Sequence, residues 1–387
     1  MKLKLYPARL QGAITPPPSK SQGHRLLIAS FLAGGDGNVP GISDSEDMRA
    51  TIRTMTALME SDNRDVLHCG ESGSTLRFLI PIALACRGEG RFTGGGKLME
   101  RPQKPYFDMF EKRGIACDLV DGILTVRGRL QAGVFELAGN VSSQFVTGLL
   151  YALPLLDGVS EIRLTSPLES KGYVDMTLEA LAQHGIAVEE LADGYRVSGG
   201  QTYKLCDAAV EADYSQAGFF YAAEAIGNAV AVTGMNPSSR QGDRMIVDYT
   251  ERLKGSGEVV LDVSQCPDLV PPLALMAALR AGERTVIANA ARLRIKESDR
   301  LATVTSELRK LGAVIEEHPE ELIITGVGGF CGAAVCGHND HRIAMMLAIA
   351  ASRANEPLEL AEAEAVNKSY PEFWADYVRL GGKIEEM

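Results

Sequence analysis

Three stretches of the chain repeat one pattern of apolar and polar positions. Met109-Phe110-Glu111-Lys112-Arg113-Gly114-Ile115-Ala116-Cys117 runs on to Leu124-Thr125-Val126-Arg127-Gly128. Leu181-Ala182-Gln183-His184-Gly185-Ile186-Ala187-Val188 runs on to Tyr195-Arg196-Val197-Ser198-Gly199, and Leu308-Arg309-Lys310-Leu311-Gly312-Ala313-Val314-Ile315 to Leu322-Ile323-Ile324-Thr325-Gly326. In each, an amphipathic stretch ends at a glycine, two short alternating segments follow, and a second glycine stands 14 positions after the first. The spacing predicts a helix closed by a left-handed glycine cap, then a β-hairpin. Weaker copies span Leu253-Lys254-Gly255 to Asp262, and Leu380-Gly381-Gly382-Lys383-Ile384-Glu385 at the end of the sequence. A repeated helix-plus-strands unit predicts an array that stacks to bury a shared core. The copies lie 71 and then 127 residues apart, which disfavours a regular solenoid.

A second group of segments alternates with the first, each opening on small polar residues and passing straight into an apolar helix. They are Ser19-Lys20-Ser21-Gln22-Gly23-His24-Arg25-Leu26, Gly70-Glu71-Ser72-Gly73-Ser74-Thr75-Leu76-Arg77, Ser142-Ser143-Gln144-Phe145-Val146-Thr147, Asp213-Tyr214-Ser215-Gln216-Ala217 and Asn339-Asp340-His341-Arg342-Ile343-Ala344. Free N–H groups and the positive end of the helix dipole make such starts anion sites. One alone is weak evidence, because capping residues look the same in any helix. Recurrence beside Lys and Arg makes the anion reading stronger.

Length and composition narrow the class. At 387 residues the chain fits two domains of roughly 150–200 residues each. Hydrophobic residues at 45% and charged residues at 23% are ordinary for a globular protein. No apolar run approaches the length of about 20 residues that spans a bilayer, and the first seven residues lack an apolar signal core. Seven scattered cysteines without a C-x-x-C pair argue against zinc and a disulfide framework, so a cytoplasmic protein with reduced thiols is expected. A net charge of −11 disfavours nucleic-acid or membrane-surface binding, which needs a basic face. It leaves room for a small anionic substrate held by a few converging cations.

Arg294-Ile295-Lys296-Glu297-Ser298-Asp299-Arg300-Leu301 is the densest charge run, followed by Leu301, Val304, Leu308 and Leu311 at helical spacing. A run of this kind is ordinarily a solvated helix start. Here it lies in a turn between Ile287 and the helix, and a carboxylate flanked by Lys and Arg suits proton transfer beside a bound anion.

This run, through Gly312, resembles the signature of the 5-enolpyruvylshikimate-3-phosphate synthase family of enolpyruvyl transferases. The family's other motifs fall in order: Ser19-Lys20-Ser21 with Arg25, Gly73 with Arg77, Glu100-Arg101-Pro102, Ser142-Ser143-Gln144, Ser170 and Tyr173, Pro267-Asp268, Asp340-His341-Arg342, and Lys368. The resemblance implies an α/β (α+β) fold of two similar domains. Each would contain three βαβαββ repeats forming an inside-out α/β barrel, with helices inside a surround of sheets. The N-terminal domain would span 17–210 and the C-terminal domain 1–16 plus 211–387, with crossovers near Pro16–Pro18 and Ala209–Ala212. The helix starts of both domains would face one interdomain cleft that closes on substrate.

The implied reaction transfers the enolpyruvyl group of phosphoenolpyruvate to the 5-hydroxyl of shikimate 3-phosphate, through a tetrahedral ketal, with release of phosphate. By resemblance, Asp268 is the base near the hydroxyl, Glu297 the proton donor to the methylene carbon, and Lys20 an assistant in proton movement or phosphate departure. Lys20, Ser21, Arg25, Ser142, Ser143, Gln144, Ser170, Asp268 and Lys296 would hold shikimate 3-phosphate. Lys20, Gly73, Arg101, Gln144, Arg300, Arg342 and Lys368 would hold phosphoenolpyruvate, the arginine forks suiting its carboxylate and phosphate. No metal, cofactor, nucleic acid or membrane is expected, and a monomer is.

His341 is ambiguous, since a lone histidine is more often structural. The family often shows Asn-Ala-Gly-Thr where this chain has Glu71-Ser72-Gly73-Ser74, Pro where it has Phe78, and Asn where it has Arg292. Glu71 is therefore expected to point away from the anion site or to pair with Arg77. Three rivals remain: the sister transferase acting on UDP-N-acetylglucosamine, a catalytically dead relative serving as a binding module, and an RNA-end-modifying enzyme of related architecture. The first typically has Lys-Asn at the first motif and a reactive loop cysteine, whereas Lys20 is followed by Ser21-Gln22 and Cys86 falls in an apolar helix. The second predicts loss of Asp268, Glu297 or Lys20, and the third a basic surface.

Overall fold

A computed structural model describes residues 1–60 and 65–387. The chain divides into two units, Pro18–Glu211, and a composite of Met1–Pro17 with Ala212–Met387. Each unit has its own apolar core, and the fold is mixed α/β.

One topology recurs four times. In the Pro18–Glu211 unit, the first sheet runs Leu67–His68, Glu89–Thr93, Ile123–Arg127, Ala116–Val120 in spatial order, and the second Val134–Leu137, Val159–Leu164, Gly194–Ser198, Glu189–Leu191. In both, the first pair is parallel and the remaining pairs antiparallel. The composite unit repeats the arrangement with Val259–Asp262, Arg284–Ala288, Leu322–Thr325 and Val314–Glu317. Its second copy is Ala334–Cys336, Leu358–Ala361, Lys2–Tyr6 and Lys383–Glu386. A shorter two-stranded parallel sheet, Gln11–Ile14 with Ala229–Val232, completes the strands of the composite unit.

The connections explain the repeat seen in the sequence. A helix joins the two parallel strands of every copy, because parallel neighbours need a long crossover. These are Gly73–Arg87, Ser143–Ala152, Val270–Ala278 and His341–Ala351. A second helix follows in each: Lys104–Glu111, Lys171–Gln183, Arg300–Lys310 or Phe373–Arg379. Just past it comes Gly114, Gly185, Gly312 or Gly381, at φ of 70°, 78°, 96° and 97°. Only glycine enters this region without cost, so each turn into the following strand falls on one. The weak copy ending at Glu385 is therefore a genuine fourth member. Its hairpin partner is the N-terminal strand Lys2–Tyr6, hundreds of residues away. The weak copy at Leu253–Asp262 is not a member. Val259–Asp262 pairs in parallel with Arg284–Ala288 and so opens the next unit instead of closing a hairpin.

The crossover helices are largely buried, and two of them wholly so. Every residue of Val270–Ala278 and of His341–Ala351 is buried, which is why those segments read as apolar all round. Polar side chains gather at the helix starts, and all five starts anticipated above are capped. The side chains of Ser19, Ser72, Ser142, Asp213 and Asp340 accept from N–H groups of Gln22, Thr75, Gln144, Ser215 with Gln216, and Arg342. Among the described residues no helix is long and apolar enough to cross a membrane.

The N-terminal strand is an interior strand of its sheet, and Leu3 and Leu5 are 1% and 0% exposed. Leu5→Ala should therefore cost about 2–5 kcal/mol, the range for emptying a leucine site in a packed core. Urea unfolding followed by circular dichroism should show an earlier transition for the composite unit; an unchanged midpoint would refute the interior placement.

Candidate active site

In the composite unit the charge run folds into a buried ion cluster. A 3₁₀ helix, Ala291–Ile295, precedes the turn, and Asp299 caps helix Arg300–Lys310 by accepting from Ala302 N–H at 3.1 Å. Arg294 ties the turn to the neighbouring hairpin through Asp299, Glu317 and the carbonyls of His318 and Pro319. Arg300 begins the helix and is 1% exposed. Its Nε donates to Asp340 Oδ2 at 2.7 Å, its Nη1 to Asp268 Oδ1 at 2.7 Å and its Nη2 to Glu297 Oε2 at 2.5 Å. Asp268 also accepts from Arg342 Nη2 at 3.0 Å and lies 3.4 Å from Lys296 Nζ. Ser298 Oγ donates to Asp340 at 3.0 Å.

A buried guanidinium is costly unless its N–H groups are met by acceptors, and here those acceptors are carboxylates. Burial alone would lower the Arg300 pKa, but Asp340, Glu297 and Asp268 outweigh it and raise it. Lys296 goes the other way. Burial lowers its pKa, the Arg300 charge adds to that, and Asp268 and Glu297 offset only part. Lys368, on a 3₁₀ turn and nearly buried, donates to the Asn339 carbonyl at 2.7 Å. His341 is buried at the first turn of its helix. Arg292 donates to the Ser264 carbonyl at 2.6 Å.

The Pro18–Glu211 unit assembles a second set of residues. Lys20 Nζ donates to Asp47 Oδ2 at 2.7 Å. Arg25 is buried and donates to the carbonyls of Tyr173 and Ser21 and to the hydroxyls of Thr177 and Thr147. All those partners are neutral, so burial pulls its pKa down to about 10. Its guanidinium lies 5.3 Å from the Phe78 ring centroid.

Helices Gly73–Arg87 and Ser143–Ala152 pack closely because Gly148 has no side chain. A Cβ there would fall 2.6 Å from the Arg77 carbonyl and 2.3 Å from the Tyr106 hydroxyl. That hydroxyl donates to the carbonyls of Arg77 and Phe145, locking the first turns of both helices. Gln144 can then accept from Arg77 Nη1 at 2.8 Å and donate to Ser74 Oγ at 3.0 Å. Arg77 also donates to the Pro102 carbonyl, next to Arg101. Ser142 caps its helix, Ser143 is buried beside it, and Ser170 starts helix Lys171–Gln183 with a left-handed φ of 56°. Glu71 turns toward the Gly94–Gly96 loop, where a Cβ on Gly96 would come within 2.6 Å of its Oε2.

The expected site residues thus gather into two sets, one per unit. The family model of EPSP synthase (3-phosphoshikimate 1-carboxyvinyltransferase) matches residues 6–377. The chain belongs to the EPSP synthase family. It is 43% identical to the 3-phosphoshikimate 1-carboxyvinyltransferase of Clostridium beijerinckii, with 99% of this chain and 98% of the relative aligned. The Clostridioides difficile protein of the same name is 41% identical at the same coverage. Among solved structures, an EPSP synthase from Acinetobacter baumannii superposes with a TM-score of 0.78 at 22% identity over all of both chains. The enolpyruvyl transferase NikO from Streptomyces tendae does so at 0.77 and 17% identity, over 100% of this chain and 98% of the other. At those identities the structural likeness speaks for the fold. Members of the EPSP synthase family are transferases of the shikimate pathway, which serves aromatic amino acid biosynthesis.

Three carboxylates beside the expected site residues carry no signal in the sequence that marks them as site members. Asp47 follows Ser45 and Glu46 at a helix start, where an acidic residue is expected for the dipole alone. Asp340 stood in a motif, but its pairing with Arg300 spans 40 positions. Asp243 had no motif at all. It is buried, accepts from Ser215 Oγ at 2.6 Å, and is raised from 3.8 to about 6 by burial and then by Asp268, against the pull of Arg342 and Ser215.

Two predictions test this geometry. A Cβ on Gly73 would lie 2.8 Å from Arg101 Nη1, the mobile end of a long side chain. Gly73→Ala should therefore leave thermal stability within about 1 kcal/mol while displacing Arg101, with KM for a substrate held by Arg101 rising at least severalfold. A normal KM would show that Arg101 does not need that space. Asp243 holds its proton more tightly when folded, so its stabilising contribution is full below about 4 and is lost as pH rises through about 6. Asp243→Asn should gain stability relative to the parent across that window, read from urea midpoints at pH 4 and pH 7.5; a constant difference would show that Asp243 does not titrate there.

Proposed function

We propose that this protein transfers the carboxyvinyl group of phosphoenolpyruvate to the 5-hydroxyl of shikimate 3-phosphate, releasing phosphate. The observation that carries the reading is the convergence of Lys296, Arg300 and Arg342 on Asp268, with Glu297 on the same Arg300 guanidinium. A proton acceptor and a proton donor held by shared cations are the kit that addition followed by elimination requires.

In this reading Asp268 removes the hydroxyl proton as the oxygen attacks C2 of phosphoenolpyruvate. Glu297 delivers a proton to the methylene carbon, giving a tetrahedral ketal. Elimination then breaks the bond from C2 to the phosphate oxygen, the methyl group returns its proton to Glu297, and the proton held by Asp268 leaves with the phosphate, whose departure Lys20 assists. Phosphoenolpyruvate is held by Lys20, Gly73, Arg101, Gln144, Arg300, Arg342 and Lys368. Shikimate 3-phosphate is held by Lys20, Ser21, Arg25, Ser142, Ser143, Gln144, Ser170, Asp268 and Lys296. The two units act as the two enolpyruvyl transferase domains, each completing a third βαβαββ repeat to form an inside-out α/β barrel. The enzyme works as a cytoplasmic monomer.

Binding changes the proton affinities as well as the positions. An anion that takes donors from Arg300 and Arg342 weakens their hold on Glu297 and Asp268. The pKa of both carboxylates rises, so Asp268 becomes a better base and Glu297 can carry a proton.

The test is phosphate release from phosphoenolpyruvate with shikimate 3-phosphate as acceptor. Glu297→Gln and Asp268→Ala should fold and lose about 10²–10⁴ in turnover, the usual loss when a general acid or base is removed. Near-normal turnover in both variants would refute the roles. Activity only with UDP-N-acetylglucosamine as acceptor would refute the function.

A further inference from the structure

Beneath the turn that carries Asp340 and Arg342 lies a carboxylate that the proposed chemistry does not use. Glu307 sits two turns along helix Arg300–Lys310 from Arg300, and its side chain is 1% exposed. It accepts from Lys310 Nζ through both oxygens, at 2.8 and 2.9 Å, and from the backbone N–H of Cys336 at 3.0 Å. Its Oε1 also lies 2.7 Å from His338 Nε2. Burial pushes the Glu307 pKa up, but the bonds from His338, Lys310 and Cys336 outweigh it and the pKa is lowered.

What Glu307 grips is backbone in an unusual conformation. His338 and Asn339 are consecutive non-glycine residues in the left-handed region, with φ of 52° and 50°. Such residues persist only where their surroundings hold them. The far side of the turn is held by a second carboxylate. Asn339 N–H donates to Glu362 Oε2 at 2.6 Å, and Glu362 is itself left-handed at φ 58°. The Asn339 carbonyl accepts from Lys368 Nζ at 2.7 Å. The next residue, Asp340, caps helix His341–Ala351 and receives Arg300 Nε. A turn clamped by two carboxylates therefore aims one carbonyl at Lys368 and one carboxylate at Arg300.

We infer that Glu307 is a positioning residue for phosphoenolpyruvate: acting through His338, it holds the left-handed turn that sets Lys368 and Asp340. The inference rests on the reading of Lys368 as a phosphoenolpyruvate contact. A role in stability alone would lower the amount of folded enzyme and leave both Michaelis constants unchanged. A positioning role separates them.

The experiment measures KM for each substrate in Glu307→Ala, Glu307→Gln, Asn339→Val, Asn339→Gly and Lys368→Ala. Glu307→Ala should raise KM for phosphoenolpyruvate about tenfold, the order expected when one hydrogen-bonded buried group is left unmatched, and leave KM for shikimate 3-phosphate within about twofold. Glu307→Gln, which keeps an acceptor for Cys336 N–H, should recover most of that change. If Glu307→Ala does not fold, the second pair decides. Valine cannot adopt the left-handed turn and should reproduce the split, whereas glycine should stay closer to the parent. Equal changes in both constants, or a fall in kcat alone, overturn the inference. If Lys368→Ala leaves KM for phosphoenolpyruvate unchanged, the reading of Lys368 fails; if it raises KM while the Glu307 and Asn339 variants do not, only the positioning role fails.

Discussion

The composite unit is organised around one buried guanidinium. Arg300 is almost wholly withdrawn from solvent and has three carboxylates within hydrogen-bonding distance. Desolvating a cation without partners costs several kcal/mol, and three carboxylates around one cation would be nearly as unfavourable. The balance is restored by Arg342 and Lys296, which share Asp268, and by Ser298, which shares Asp340. Removing Asp340 alone would leave the buried Arg300 charge short of a partner. The cluster thus links the charge-rich turn, helix Arg300–Lys310 and the start of helix His341–Ala351 into one electrostatic body.

That constraint is compatible with the fold because of where the fold puts polar groups. Crossover helices enclosed largely by apolar neighbours have little polar surface along their length, so their starts are the main places at which charge is met. Asp340 is at once a helix cap and an Arg300 partner. Gln144 follows the capping serine of its helix and bridges Arg77 to Ser74. Capping and site construction are the same bonds, so the local stability of each helix start and the placement of its charged residue are coupled.

The legible parts of this architecture were those with a short period. Helix, left-handed glycine and hairpin recur with a 14-residue interval because steric freedom at the glycine and alternation in the strands are local properties. The five helix starts were legible for the same reason. What stayed hidden depends on contacts between distant residues. The strand Lys2–Tyr6 supplies the missing hairpin partner of Lys383–Glu386 from the other end of the chain. Lys20 finds Asp47 27 positions away, and Arg25 finds Thr177 152 positions away. Asp268 looked like a turn residue after Pro267, and nothing nearby in sequence reveals that three cations meet on it. The dense run Arg294–Arg300 was visible as a charge run, and resemblance gave Lys296, Glu297 and Arg300 separate roles, but the bracing by Arg294 and the burial of Arg300 were not visible. Arg294 braces the turn against Glu317, while Arg300, six residues on, is the buried hub.

The division also bears on how proton transfer would be controlled in the proposed reaction. Glu297 is held at 2.5 Å by the same guanidinium that binds Asp268 and Asp340. A carboxylate so placed is a poor proton donor, because the cation stabilises its charged form. In the proposed reaction it would become a donor only when something else draws on Arg300. In the proposed reaction an anionic substrate would do that by competing for the N–H groups, while Asp340 stays fixed by Ser298 and by its own helix cap. The three carboxylates therefore have different duties. Asp340 anchors the hub, and Glu297 and Asp268 are the two to which the proposed reaction gives proton transfer.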